Sequence, residues 1–152
     1  MYKHILVPVD GSKTARLGLQ EAIQLAKNLH AHVRVVHVVN KLPWVPSDGG
    51  GPAVQELIDQ MRSNGESILH EATHAVRAAG LDVDTRLIEA LGTEAGESIV
   101  EQANSWPAEL IVCGTHGRRG LHRILMGSDA EYIVRHSRVP VLLVRGEEDA
   151  RP

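Results

Sequence analysis

Short apolar runs alternate along the chain with longer stretches in which apolar residues recur at helical spacing. Ile5-Leu-Val-Pro-Val9 reads as a strand, and Thr14 to about Leu29 as a helix with Leu19, Ala22, Ile23, Ala26 and Leu29 on one side. Val33 to Val38 forms the second strand. Between Lys41 and Pro52, three prolines and Gly49-Gly-Gly51 predict an irregular loop. A long helix is expected from about Ala53 to Ala79, its apolar stripe running through Val54, Leu57, Ile58, Met61, Ile68, Ala72 and Val76, with Gly80 as a left-handed cap. Val83 to Ile88 gives a third strand, and Thr93 is the expected N-cap of a helix reaching about Asn104. Leu110 to Cys113 is the fourth strand. Ser128-Asp-Ala-Glu131 has the spacing of a capping box at the head of a helix ending near His136. Pro140 to Val144 closes the pattern, and the polar tail from Gly146 to Pro152 is expected to fray. This alternation predicts one α/β domain over residues 1–152, with right-handed crossovers and a parallel sheet covered by helices on both faces.

Ligands of such sheets sit outside the carboxyl ends of the strands, where the strand order reverses. Asp10-Gly-Ser12, Val38-Val-Asn40 and Gly114 to Gly117 are the expected loops at those ends. The last of them opens the stretch Gly114-x2-Gly117-x9-Gly127-Ser128, which links a strand to a helix start. Glycine lets backbone N–H groups approach an anion, and a helix beginning at Ser128 would point its unpaired amides at the same place. Arg118, Arg119 and Arg123 in that loop would add charge-assisted hydrogen bonds to phosphate oxygens. Ser128 and Glu131 read equally well as a plain helix cap. Asp10 has two readings as well: satisfying a tight turn, or contacting a ligand, the second being favoured by its place at a strand end. Asp129 in the first helical turn suits the macrodipole but repels a triphosphate, unless it turns outward or holds a metal; outward orientation is the expectation. Asp10 to Thr14 only superficially matches the end of a Walker A motif, since Leu6 stands where its first glycine belongs.

Composition narrows the classes. The chain has no Phe and only 2 Trp and 2 Tyr among 152 residues, so the core must be aliphatic. A formal charge of -3 argues against broad nucleic-acid binding. Cys113, the single cysteine, lies in an apolar run and reads as a small buried side chain. No apolar run is long enough for a signal peptide or a membrane span, so a cytoplasmic protein without membrane insertion is expected. His70-Glu-Ala-Thr-His74 spells a zinc-protease pattern, but helical arithmetic turns both histidines away from the apolar stripe, and no metal site is expected by direct motif.

Val7-Pro8-Val9-Asp10-Gly11-Ser12, His37-Val38 and the glycine spacing before Ser128 together carry a family resemblance. From about Lys3 to Arg145 the chain resembles a universal stress protein of the ATP-binding type. The resemblance implies a Rossmann-like, adenine nucleotide alpha hydrolase-like fold with strand order 3-2-1-4-5. It implies adenine contacts at Pro8, Val9, Asp10 and Val38, ribose at Gly114, and phosphates among Gly117, Arg118, Gly127 and Ser128. ATP, or AMP or ADP, would be the ligand, with Mg or Mn bridging through the phosphates. A homodimer through Val141, Leu142, Leu143 and Val144 is implied too, and an uncharged apolar edge strand independently invites pairing. The reading is a nucleotide-responsive regulator of the stress response. No residue is placed as a general base, so fast hydrolysis is not expected. A slow ATPase or transfer enzyme and a nucleotide-free interaction module are the alternatives.

Overall fold

The computed structural model describes residues 1–41, 45–115 and 127–146. Five strands and four helices alternate: β1 (His4–Pro8), α1 (Lys13–Leu29), β2 (His32–Lys41), α2 (Gly51–Ala78), β3 (Val83–Leu91), α3 (Ala95–Ser105), β4 (Leu110–Thr115), α4 (Ser128–His136) and β5 (Val141–Arg145). The strands form one sheet in the order β3-β2-β1-β4-β5, and every neighbouring pair is parallel. This is the expected architecture. The switch point lies between β1 and β4, which share only the register pairs Ile5↔Leu110 and Leu6↔Ile111.

The two-residue period of the strands divides the core into two layers. Ile5, Val7, Val33, Val35, Leu110 and Val112 face α1 and α2, where Leu19, Ala22, Ile23, Leu69, Ala72 and Val76 cover them. Leu6, Val36 and Ile111 face the other way and meet Ile99, Val100 and Ala103 of α3 and Ile133 of α4. Nearly continuous aliphatic strands are what a sheet buried on both faces requires.

Several boundaries differ from the sequence reading. β2 and β3 run three residues further, so Val39 and Asn40 pair with Glu89 and Ala90 inside the ladder instead of forming a loop. α2 begins at Gly51 with Pro52 in its first turn, two residues inside the expected loop, because proline is well suited to a helix start. Gly80 follows the end of α2 with φ +78°, as a left-handed cap requires. Leu57 belongs to the expected stripe yet is 42% exposed. Glu94 stands at the N-cap of α3 in place of Thr93, without a side-chain cap bond. The capping box at α4 does not form: Gly127 is the N-cap, no side chain caps it, and Glu131 pairs with Arg135 one turn on. The tail beyond residue 146 lies outside the described residues, as does Trp44.

Candidate nucleotide site at the switch point

At the carboxyl ends of β1, β2 and β4 a cavity of about 320 Å³ opens between the first turns of α1, α3 and α4. That size falls in the range of small-molecule sites, roughly 300–1,000 Å³. Pro8, Val9, Asp10, Val38, Gly114, Gly127 and Ser128, seven of the expected site residues, all line it. Gly117 and Arg118, with Arg119 and Arg123, lie outside the described residues.

Each side chain is held by the fold around it. Val9 donates its backbone N–H to the Val36 carbonyl at 2.8 Å, and its own carbonyl accepts from His37 Nδ1 at 2.8 Å. Both polar groups of Val9 are therefore engaged, and what it offers a ligand is apolar wall. Because a carbonyl oxygen only accepts, the bond places a proton on His37 Nδ1. Asp10 accepts the Ser12 N–H on Oδ1 at 2.9 Å, so the tight-turn reading holds, and the exposed carboxylate stands at the cavity at the same time. Ser12 in turn caps α1 by accepting from Ala15 N–H at 3.2 Å.

Gly114 carries a packing duty that its motif did not reveal. A Cβ there would stand 2.0 Å from the Thr14 carbonyl oxygen, so only glycine lets α1 lie against the end of β4. Gly18 makes the reciprocal approach, its Cβ position falling 2.8 Å from the Gly114 nitrogen. Gly127 is the opposite case: no described residue lies within 4 Å of a Cβ there, and Gly127 itself lines the cavity.

The sequence reading missed one contributor. Thr115, at the end of β4, is 2% exposed and lines the cavity, yet its hydroxyl has no hydrogen-bond partner among the described residues. A buried, unsatisfied hydroxyl costs on the order of 1–3 kcal/mol, which makes it a candidate ligand contact. Its place beside Gly114 in a strand-end loop was the available signal. Asp129 also lines the cavity; it is exposed, as expected, and its Oδ1 accepts the Gly96 N–H in the first turn of α3 at 3.0 Å. Gly96 brings the two helices together, since a Cβ there would meet Tyr132 Cβ at 2.8 Å.

Cys113 lines the cavity as well, 4% exposed, and burial pushes its thiol up to about 11. His70 and His74 are exposed on α2, and Glu71 between them pairs with Arg16 at 3.4 Å. Among the described residues no group of three His, Cys, Asp or Glu is placed to hold a metal ion. No helix among them is long and apolar enough to cross a membrane. Trp106 packs locally, with the Arg34 guanidinium 4.5 Å above its ring and His4 against its edge.

Known proteins match this arrangement over nearly the whole chain. The model of the universal stress protein family matches residues 1–145. A universal stress protein of Methanocaldococcus jannaschii is 36% identical over 147 residues, covering 95% of this chain and 83% of that protein. UspA from Lactobacillus plantarum superposes with a TM-score of 0.81 at 26% identity, over 95% of this chain and 98% of that one. The universal stress protein from Archaeoglobus fulgidus in complex with dAMP does so with a TM-score of 0.65 at 27% identity, over 93% and 97%. Matched from its first strand to its last, this chain belongs to the universal stress protein family.

Proposed function

We propose that this chain is an adenine nucleotide-binding, dimeric regulator of the stress response, working in the cytoplasm, with ATP, ADP or AMP as its ligand. The observation that carries the reading is the junction of β4 and α4. The amides of Ser128, Asp129 and Ala130 open α4, no described side chain caps them, and all three residues line a cavity that also holds the Thr115 hydroxyl, which no described residue satisfies. Unsatisfied first-turn amides and the positive end of a helix are an anion site. Pro8 and Val38 supply apolar walls for a flat base, and Asp10 supplies an acceptor for adenine or ribose hydroxyls. Gly114 borders the ribose, and Gly117 and Arg118 are proposed to complete the phosphate site. The dAMP complex of the Archaeoglobus fulgidus protein supports an adenine ligand. Mg or Mn would be held through the phosphates, with no dedicated ligand set among the described residues. The dimer would form through Val141, Leu142, Leu143 and Val144, because β5 ends the sheet and pairs only with β4.

Gly127→Val tests the reading cleanly. Space for a side chain at this position leaves the melting temperature within a few degrees, while the added bulk intrudes on the cavity and lowers AMP and ATP affinity at least tenfold in equilibrium dialysis. Unchanged affinity in a folded variant would remove nucleotide from this cavity. Mass spectrometry of small molecules released on denaturing the freshly purified protein gives an independent check: an adenine nucleotide is expected.

A further inference from the structure

Three helix N-termini meet the cavity, and the chain itself fills two of them. α1 is capped by Ser12, whose hydroxyl accepts the Ala15 N–H. α3 starts at Ala95, which lines the cavity, and its Gly96 amide is taken by the Asp129 carboxylate. Of these three, α4 alone has no described side chain bonded to its first-turn amides, and it lies beside the buried Thr115 hydroxyl that no described residue satisfies. A carboxylate on a first-turn amide sits where an external phosphoryl oxygen would otherwise bind, and its charge opposes a second anion nearby. We propose that Asp129 is a built-in anion that sets ligand specificity: the site takes a single phosphoryl group at α4 and disfavours the longer, more highly charged polyphosphate chain.

The proposal rests on the adenine nucleotide reading above and narrows it to nucleoside monophosphates. Its physical basis is the amide that Asp129 already occupies and the negative charge it brings beside the first turn of α4. Asp129 and Asp10 are the carboxylates of the described lining. Held at Gly96, Asp129 cannot swing away without uncovering that amide and the end of α3.

Equilibrium dialysis of adenosine, AMP and ATP in metal-free buffer, on the full chain and on Asp129→Asn and Asp129→Ala, tests it. The native chain is expected to bind AMP at least as tightly as ATP. Asp129→Asn keeps an acceptor for the Gly96 amide while removing the charge, and should move the ATP-to-AMP affinity ratio toward ATP by roughly tenfold, the effect of one unit charge at short range in a partly solvated site. Asp129→Ala also uncovers the amide and should move the ratio at least as far. Adenosine affinity should stay the same in all three, a pattern that loss of packing alone would not give. An unchanged ratio in the folded Asn variant, or weaker ATP binding, overturns the proposal while leaving the adenine site standing if AMP and adenosine still bind. Absence of binding by any of the three ligands to the native chain overturns the site reading, and this proposal with it.

Discussion

Two residues bordering the cavity make separable demands on the fold. Gly114→Ala drives a methyl into the Thr14 carbonyl, a backbone atom that can move only if α1 shifts, so the substitution should destabilise by about 2 kcal/mol or more. Chemical denaturation would show a lower midpoint; an unchanged midpoint would mean that α1 is not seated on β4 as described. Cys113 links stability to alkaline pH. Burial raises the folded thiol to about 11 from its ordinary 9.0, so between these values the unfolded chain releases a proton that the folded chain keeps. Stability therefore falls as pH rises across that window, by about 2 to 3 kcal/mol at most from this one group. A Cys113→Ala variant should lack that part of the slope, and native protein at pH 8 should resist thiol reagents until it unfolds. His70 and His74 show how a motif loses meaning outside its geometry: the pattern is present, but both rings face solvent across from the packed stripe of Leu69, Ala72 and Val76.

Between elements, a charge pair joins β2 to β3 on the α3 side of the sheet. Arg34, 8% exposed, donates from Nη2 to Asp84 Oδ2 at 3.0 Å, and Asp84 is its register partner on the neighbouring strand. His32 Nε2 approaches the same carboxylate at 3.5 Å. Partial burial acts to raise the Asp84 carboxyl pKa, but the Arg34 guanidinium and the His32 ring outweigh it and hold the group below its ordinary 3.8. The pair's contribution is thus fully present above pH 3.8 and is lost as pH falls through the lower folded value. Asp84→Ala leaves a buried guanidinium with Trp106 as its remaining contact and should cost about 1–3 kcal/mol at pH 7. The urea midpoints of variant and native chain should converge on strong acidification. A constant gap down to the lowest pH would show that the pair contributes packing alone.

For the whole molecule, the edge of the sheet sets the expected assembly. β5 carries Val141, Leu142, Leu143 and Val144 with no charge among them, and Leu142 is 36% exposed. Leu142→Lys should convert a dimer into a monomer in sedimentation at micromolar concentration, since charge on an edge strand is a common natural block to pairing. A variant that still sediments as a dimer would place the interface elsewhere. Much of this organisation was legible in the order of residues. The gathering of Pro8, Asp10, Val38, Gly114, Gly127 and Ser128 about one cavity was implied by the family resemblance, whereas strand and helix alternation, the two-sided burial of aliphatic runs and the left-handed turn at Gly80 follow from period and from the conformational limits of each residue type. These are local properties, written in spacing. Helix starts were less legible, because Thr93 and the Ser128–Glu131 pair have capping chemistry, yet Glu94 and Gly127 hold the N-cap positions and neither makes a side-chain cap bond. The partner of Asp129 and the need for glycine at Gly114 beneath α1 depend on atoms brought together from 33 and 100 residues away. Sequence by itself determined which segments are strands and helices and which loops leave the strand ends; only the packing of α3 against α4, and of α1 against β4, decided which converging helix end has no described side chain on its amides, because an amide's partner is whichever acceptor the tertiary fold holds within hydrogen-bonding distance.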